Sequence, residues 1–331
     1  MANLVETRSD VEYLISRKRA AFVWGRPGIG KSEIIRDLAD FLGFNLIDIR
    51  LSYFDAVDLR GLPVADLVNM VTNWLRPQIW PALNASRPSL IFFDEMDRGA
   101  VSVANAALQI VLEYRIGEHV LPPETRIVAA GNGSTDKRGT NKISGAHANR
   151  FTHLFVEADH EVTADHFDAK GHDPIMSAWL RTNGEKYLCT DPDGSDNPAF
   201  ASPRAWETVV DFIPCAPGER LRRTVGTVGK DAGLQFEAFV QTFQSLPPLA
   251  EILANPKGAP LPDTAGKMWM VSSALARKAT HKNFDDIVTY CDRLPVEHLN
   301  KMISMATKRD ESLKMTRAYI NSSIANQDIK L

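Results

Sequence analysis

The sequence predicts an α/β fold, a five-stranded parallel sheet flanked by helices, followed by a mainly α-helical C-terminal part. Three observations carry this. Short apolar runs recur at 20–24, 45–51, 89–93, 126–130 and 151–156. Helically spaced stretches separate most of them, which is the pattern of a parallel sheet covered on both faces. Beyond about residue 157 the strand pattern stops, and apolar residues recur at helical spacing among prolines and charges.

Taken in order, Ser9-Asp10-Val11-Glu12 has the S-x-x-E form of a capping box, so a first helix is expected from there, closed by Arg17-Lys18-Arg19. Ala20 to Trp24 reads as a buried strand cut off by Gly25. From Lys31, apolar residues fall at Ile34, Ile35, Leu38, Ala39 and Leu42, a helical face that Gly43 ends. The next strands are expected at Asn45–Leu51, Ser89–Phe93, Arg126–Ala130 and Phe151–Val156, with a helix over Val101–Leu112. The expected organisation is an α/β core over 1–157 and an acidic connecting segment over 158–200. A mainly helical region over 201–331 completes it.

Composition narrows the function. The chain has 331 residues, 44% apolar and 24% charged, with a net charge of −3. No global basic field exists to hold nucleic acid by counter-ion release. The three cysteines, Cys189, Cys215 and Cys291, form no C-x-x-C pair, which argues against a disulfide framework and a cysteine zinc site. The first residues lack an apolar signal core and no stretch of about 18 apolar residues occurs, so a cytoplasmic protein is expected.

The chemistry is concentrated at strand ends. Gly25-Arg26-Pro27-Gly28-Ile29-Gly30-Lys31-Ser32 fits G-x-x-x-x-G-K-[ST] between a strand and a helix. Its glycines let backbone N–H groups curl around phosphate oxygens, and the helix start, continuing into Glu33, adds its positive end. Lys31 would reach the β- and γ-phosphates of ATP, and the Ser32 hydroxyl would ligate Mg²⁺. Leu90-Ile91-Phe92-Phe93 ends in Asp94-Glu95. Two carboxylates closing an apolar strand are costly unless chemistry at the sheet edge uses them. Asp94 would hold the Mg²⁺ shell, and Glu95 would orient or deprotonate the attacking water. Asn132, after Ile127-Val128-Ala129-Ala130-Gly131, can bond the γ-phosphate or the water, or simply serve as a turn residue beside Gly133. No N-K-x-D guanine-reading motif occurs; Asn141-Lys142-Ile143-Ser144 lacks the final Asp.

On these residues the chain resembles an AAA+ ATPase, and within that superfamily the MoxR group of the helix-2-insert clade. The matching stretches are GRPGIGKS (25–32), DLRGLP (58–63), LIFFDEMDRG (90–99), the run from Ala107 to Asn132, ANRF (148–151) and SPRAWE (202–207). The resemblance implies a P-loop core with a helical C-terminal lid. It makes Asn132 a sensor 1 residue, Arg150 an arginine finger acting in a neighbouring subunit and Arg204 a sensor 2 residue. Asn149 stands where the family often has Asp, and Arg98 and Arg138 are the alternative trans arginines. The clade's two insertions would fall at Gly61–Pro77 and Arg115–Thr125. Met70 and Trp74 in the first would either pack on the sheet or face a pore or partner. A hexameric ring is implied, acting on a protein partner, often one with a von Willebrand factor A domain.

Mg²⁺-dependent ATP hydrolysis driving remodelling of a protein partner is therefore the leading reading. Two alternatives are a nucleic-acid translocase or helicase-like motor of the same clade and a slow nucleotide-dependent switch. The net charge and the absence of an aromatic-basic module oppose the first. Intact Lys31, Asp94, Glu95 and Asn132 oppose the second. Weaker signals read blandly. His160, His166 and His172 would not share a helix face, Asp191–Asp196 is a turn cluster, and Arg220-Leu221-Arg222-Arg223 is a solvated face. Met268, Trp269 and Met270 are expected in a helical core.

Overall fold

The computed structural model describes residues 2–83, 85–133, 149–191, 198–244, 246 and 249–325. The chain divides into two compact units, 1–159 and 160–331. In the first, α1 (Leu4–Ser16) precedes β1 (Ala21–Trp24), α2 (Lys31–Phe41) and β2 (Asn45–Arg50). A short α3 (Ala56–Arg60) leads into an antiparallel hairpin, β3 (Leu62–Asp66) and β4 (Val71–Leu75). Then come β5 (Ser89–Asp94), α4 (Val101–Glu113), a small hairpin of β6 (Arg115–Ile116) and β7 (His119–Val120), β8 (Arg126–Gly131) and β9 (Thr152–Phe155). Five strands form one parallel sheet in the order β2-β5-β8-β1-β9.

The strand signal is strong because the central strands are covered on both faces: every residue of β5 and β8 is buried. Helix α4 buries Val103, Ala106, Ala107, Ile110 and Val111, a 3–4 spacing that seats one face on Phe22, Ile91, Phe93, Ile127 and Ala129. Helix α2 buries Ile35, Leu38 and Ala39 in the same way.

One local expectation is corrected here. Helix α1 does not start at Ser9. Its capping box is Asn3-x-x-Glu6, with Asn3 Oδ1 accepting from the Glu6 N–H and Glu6 Oε2 from the Asn3 N–H, both at 3.0 Å. Asn at the cap serves as well as Ser, and Ser9 lies within the helix. The Gly61–Pro77 segment forms the β3–β4 hairpin, with little of either strand covered. Met70, at its turn with φ +52°, is 83% exposed, and Trp74 is half-buried. The His119 ring bonds the Trp74 carbonyl at 3.0 Å, tying the second hairpin to the first.

The second unit is helical among its described residues: α5 (His160–Ala169), α6 (Pro174–Tyr187), α7 (Pro203–Val210), α8 (Pro217–Val228), α9 (Lys230–Gln244), α10 (Leu249–Ala254), α11 (Ala265–Lys278), α12 (Phe284–Cys291), α13 (Val296–Arg309) and α14 (Arg317–Ala325). Trp179, Trp206 and Phe236 pack ring to ring at 5.5 Å. Leu275, Phe284, Ile287, Tyr290 and Met302 build a further core, and Met270 is buried. Much of the 158–200 segment is regular structure, α5 and α6. Its acidity is used locally, since Glu161, Asp165 and Asp168 converge on the buried Arg181 guanidinium at 2.6–3.3 Å. Arg220 is likewise no solvated face. It is 2% exposed and forms a bidentate pair with Glu237, both bonds 2.8 Å, while Arg222 and Arg223 are exposed. The turn cluster at 192–196 lies outside the described residues.

Candidate active site

The site begins with the turn between β1 and α2. Gly28 and Gly30 have φ of +78° and +101°, a region side-chain-bearing residues rarely enter, so the loop can close tightly over an anion. Gly30 is the N-cap of α2 and no side chain caps that helix end. The first-turn N–H groups at Lys31, Ser32 and Glu33 thus face a position where the helix dipole favours negative charge.

The sheet order then brings the other strand ends alongside. β8 lies between β1 and β5, so their C-terminal ends share one edge with the loop, the usual ligand crevice of an open α/β sheet. Lys31 Nζ donates to Asn132 Oδ1 at 2.9 Å and to the carbonyls of Gly25 (2.7 Å) and Arg26 (2.9 Å). The Ser32 hydroxyl donates to Asp94 Oδ2 at 2.8 Å. Lys31, Asp94 and Asn132 are all buried. A loop lysine, a helix-start serine and two strand-end side chains, spread over a hundred residues, meet within hydrogen-bonding distance.

Glu95 sits beside them in an unusual backbone state, φ +52°, which for a non-glycine residue costs about 1–3 kcal/mol and persists only where the surroundings hold it. Its N–H donates to Asp94 Oδ1 at 2.9 Å, and its Oε2 accepts from the Ser52 hydroxyl at 2.8 Å. The Arg50 guanidinium lies 3.9 Å from Asp94 and 4.0 Å from Glu95. Arg50 is held in its charged form by Tyr53 and then by these two carboxylates, which outweigh its partial burial. Arg50 and Ser52 escaped sequence reading. Their only signal was their place at the end of the second strand, one sheet position from Asp94. Asp97 was missed too, although DEMD carries it three residues after Asp94; its Oδ2 accepts from the N–H groups of Asn132 (2.9 Å) and Gly133 (3.1 Å).

The remaining predicted residues lie elsewhere. Arg150 is half-buried and precedes β9, whose residue Thr152 pairs with Ala21 at the start of β1. It therefore stands at the end of the sheet opposite the phosphate loop. Arg98 is half-buried just past Glu95, and its N–H donates to the Glu95 carbonyl at 2.9 Å. Arg138 lies outside the described residues. Arg204 belongs to the second unit, in the first turn of α7, whose cap is Ser202 accepting from the Ala205 N–H at 3.2 Å.

Residues 21–156, which run from β1 to the residue after β9, match the family model described as ATPase family associated with various cellular activities (AAA). The match falls within the first unit. Among solved structures, the chain is similar to a Cytophaga hutchinsonii protein described as a candidate ATPase, at 11% identity and a TM-score of 0.39 over 93% of this chain and 81% of that one. It is similar to the Thermotoga maritima RuvB Holliday junction branch migration motor at 13% identity and a TM-score of 0.38, covering 82% and 81% of the two chains. The third is NtrX from Brucella abortus in complex with ADP, at 12% identity and a TM-score of 0.37, covering 93% and 67%. The match to this ATPase family supports ATP hydrolase activity. Among the described residues no helix is long and apolar enough to cross a membrane.

Proposed function

We propose that the protein is a Mg²⁺-dependent ring ATPase of MoxR-like type that remodels a protein partner. The observation that carries the reading is the convergence of Lys31, Ser32, Asp94 and Asn132 on one sheet edge, above an uncapped helix start. In this reading the loop from Gly25 to Gly30, with Pro27 and Ile29 shaping it, and the N–H groups of Lys31, Ser32 and Glu33 cradle the phosphates. Lys31 exchanges its carbonyl and Asn132 partners for the β- and γ-oxygens, which frees the Asn132 amide to orient the attacking water. Glu95 takes the proton of that water, with one carboxylate oxygen still able to accept from Ser52.

The donor set fits Mg²⁺. A hydroxyl and a carboxylate 2.8 Å apart are hard oxygen ligands. Among the described residues no cluster of three His, Cys, Asp or Glu competes for the ion. Ser32 and Asp94 would hold it and leave the other positions to phosphate and water. When bound, the ion neutralises charge on the phosphate oxygens.

Charge growing on the transferred phosphoryl group calls for a further cation. Arg150, at the far end of the sheet from its own loop, suits a role in the next subunit of a ring, hexameric by family resemblance, with Arg204 as the lid's contribution. The β3–β4 hairpin, with Leu67, Val68 and Met70 at its turn each more than three-quarters exposed, offers apolar surface for a protein substrate or a partner such as a von Willebrand factor A domain. A cytoplasmic location fits this role.

Affinity capture with Glu95→Gln held in ATP tests the reading. Recovery of a specific protein supports it; recovery of DNA or RNA instead points to a nucleic-acid motor. Mixing Lys31→Ala with Arg150→Ala tests the ring: one intact finger and one intact loop in adjacent subunits should restore ATPase activity. Failure in demonstrably mixed oligomers would remove Arg150 from that role.

A further inference from the structure

Asp97 is a buried carboxylate that the proposed reaction does not use. It is 2% exposed. Its Oδ2 accepts two backbone N–H groups, from Asn132 at 2.9 Å and Gly133 at 3.1 Å. Its Oδ1 has no hydrogen-bond partner among the described residues. Isolating a carboxylate from water is costly, and two neutral donors offset that only in part. The carboxylate is also packed hard against the end of β8. A Cβ placed on Gly131 would lie 2.9 Å from Asp97 Oδ1 and 3.0 Å from the Phe22 ring, so the absence of a side chain at Gly131 is what lets Asp97 approach.

What Asp97 grips is the backbone immediately past β8, where the regular ladder has ended. One residue earlier the sheet holds itself: Met96 N–H donates to the Ala130 carbonyl at 2.9 Å, and Gly25 N–H to the Gly131 carbonyl at 3.2 Å. Beyond Gly131 the chain leaves the sheet, and the Asn132 side chain must still be aimed at the phosphate site, where its Oδ1 meets Lys31 at 2.9 Å. A two-donor clamp on consecutive N–H groups fixes both position and rotation of that peptide.

We infer that Asp97 is a positioning residue: from the turn after Glu95 it clamps the Asn132–Gly133 backbone and so sets where the Asn132 amide meets the γ-phosphate and water. This rests on the ATPase site reading above. The same contact ties the turn that carries Glu95 to the turn that carries Asn132. The role requires an acceptor oxygen rather than a negative charge.

The test is a double-mutant cycle on steady-state ATPase activity with nucleotide affinity measured in parallel. Asp97→Ala should lower kcat by roughly 100-fold, the scale of a displacement near 1 Å in a reacting group, and leave affinity for a fluorescent ADP analogue within about 3-fold. If Asp97 acts through Asn132, the Asp97→Ala/Asn132→Ala protein should be no slower than Asn132→Ala alone. Asp97→Asn keeps an acceptor of the same size and should recover most of kcat. Multiplying losses in the double variant, or an Asp97→Asn protein as slow as Asp97→Ala, would overturn the clamp while leaving the site reading intact. Wild-type kcat in Asn132→Ala would instead remove the role given to Asn132, and the clamp with it. A purely structural Asp97 would lower the thermal midpoint of both Asp97 variants and multiply with Asn132→Ala.

Discussion

Replacing Lys31 with Ala should weaken ATP binding by about two to four orders of magnitude. Lys31 is buried, and its ammonium is held by the Gly25 and Arg26 carbonyls and Asn132 Oδ1 at 2.7–2.9 Å. It is thus anchored where the phosphates would lie and needs only to exchange partners. Two charge-assisted bonds to phosphate oxygens, each at about 1.5–3 kcal/mol, sum to roughly 3–6 kcal/mol. At 1.4 kcal/mol per decade this is about 10²–10⁴ in Kd. The Gly25 and Arg26 carbonyls and Asn132 lose a donor in the variant, so thermal stability should be measured alongside. The assay is calorimetric titration of Mg²⁺-ATP at fixed ionic strength, on protein whose circular dichroism matches the parent. A Kd within about 3-fold of wild type in folded protein would refute the placement of the phosphates at this loop.

Three further outcomes probe the second unit. Arg220→Ala should destabilise by about 3–5 kcal/mol, because Glu237 is left buried without the guanidinium that contacts it at 2.8 Å; chemical denaturation measures this, and a loss under about 1 kcal/mol would contradict it. Cys291, whose thiol is pushed up to about 12 by burial, should react with iodoacetamide at pH 8 roughly 10³-fold more slowly than in unfolded protein, read by mass spectrometry. Burial depresses the pKa of His298 despite the opposing charge of Glu297, so the unfolded chain protonates first as pH falls. Stability should drop below about pH 6.5 and level off once pH is below the folded-state value. Against this, His298→Gln should flatten the pH dependence of the unfolding midpoint, and an unchanged slope would exclude His298 as its source.

The sheet was legible because β5 and β8 are apolar on both faces, and the phosphate loop because its glycines and lysine carry a spacing that few other turns need. The hairpin at 62–75 was not readable as strands: with little of it covered, no alternation of apolar and polar residues marks its faces. Composition misled over Glu161, Asp165 and Asp168, whose shared partner Arg181 lies up to 20 residues away in the chain. Arg220 looked like part of a surface charge run because its contacts with Glu237, one helix on, and with the Ile213 and Cys215 carbonyls take it out of water. Asp97 and Ser52 act on backbone and side chains brought near by sheet order, which a linear reading cannot see. Lys31, Ser32, Asp94, Glu95 and Asn132 could be named from sequence, but their meeting at one edge required the order β2-β5-β8-β1-β9.

The central claim, that this edge hydrolyses ATP with Glu95 as the base, is tested most directly by Glu95→Gln. Gln keeps the length and can still accept from Ser52, but it cannot take a proton. The account predicts Mg²⁺-ATP binding within about 3-fold of wild type and a turnover rate lower by at least about 100-fold, measured by phosphate release on the same preparation. Hydrolysis at the wild-type rate by that protein would contradict it.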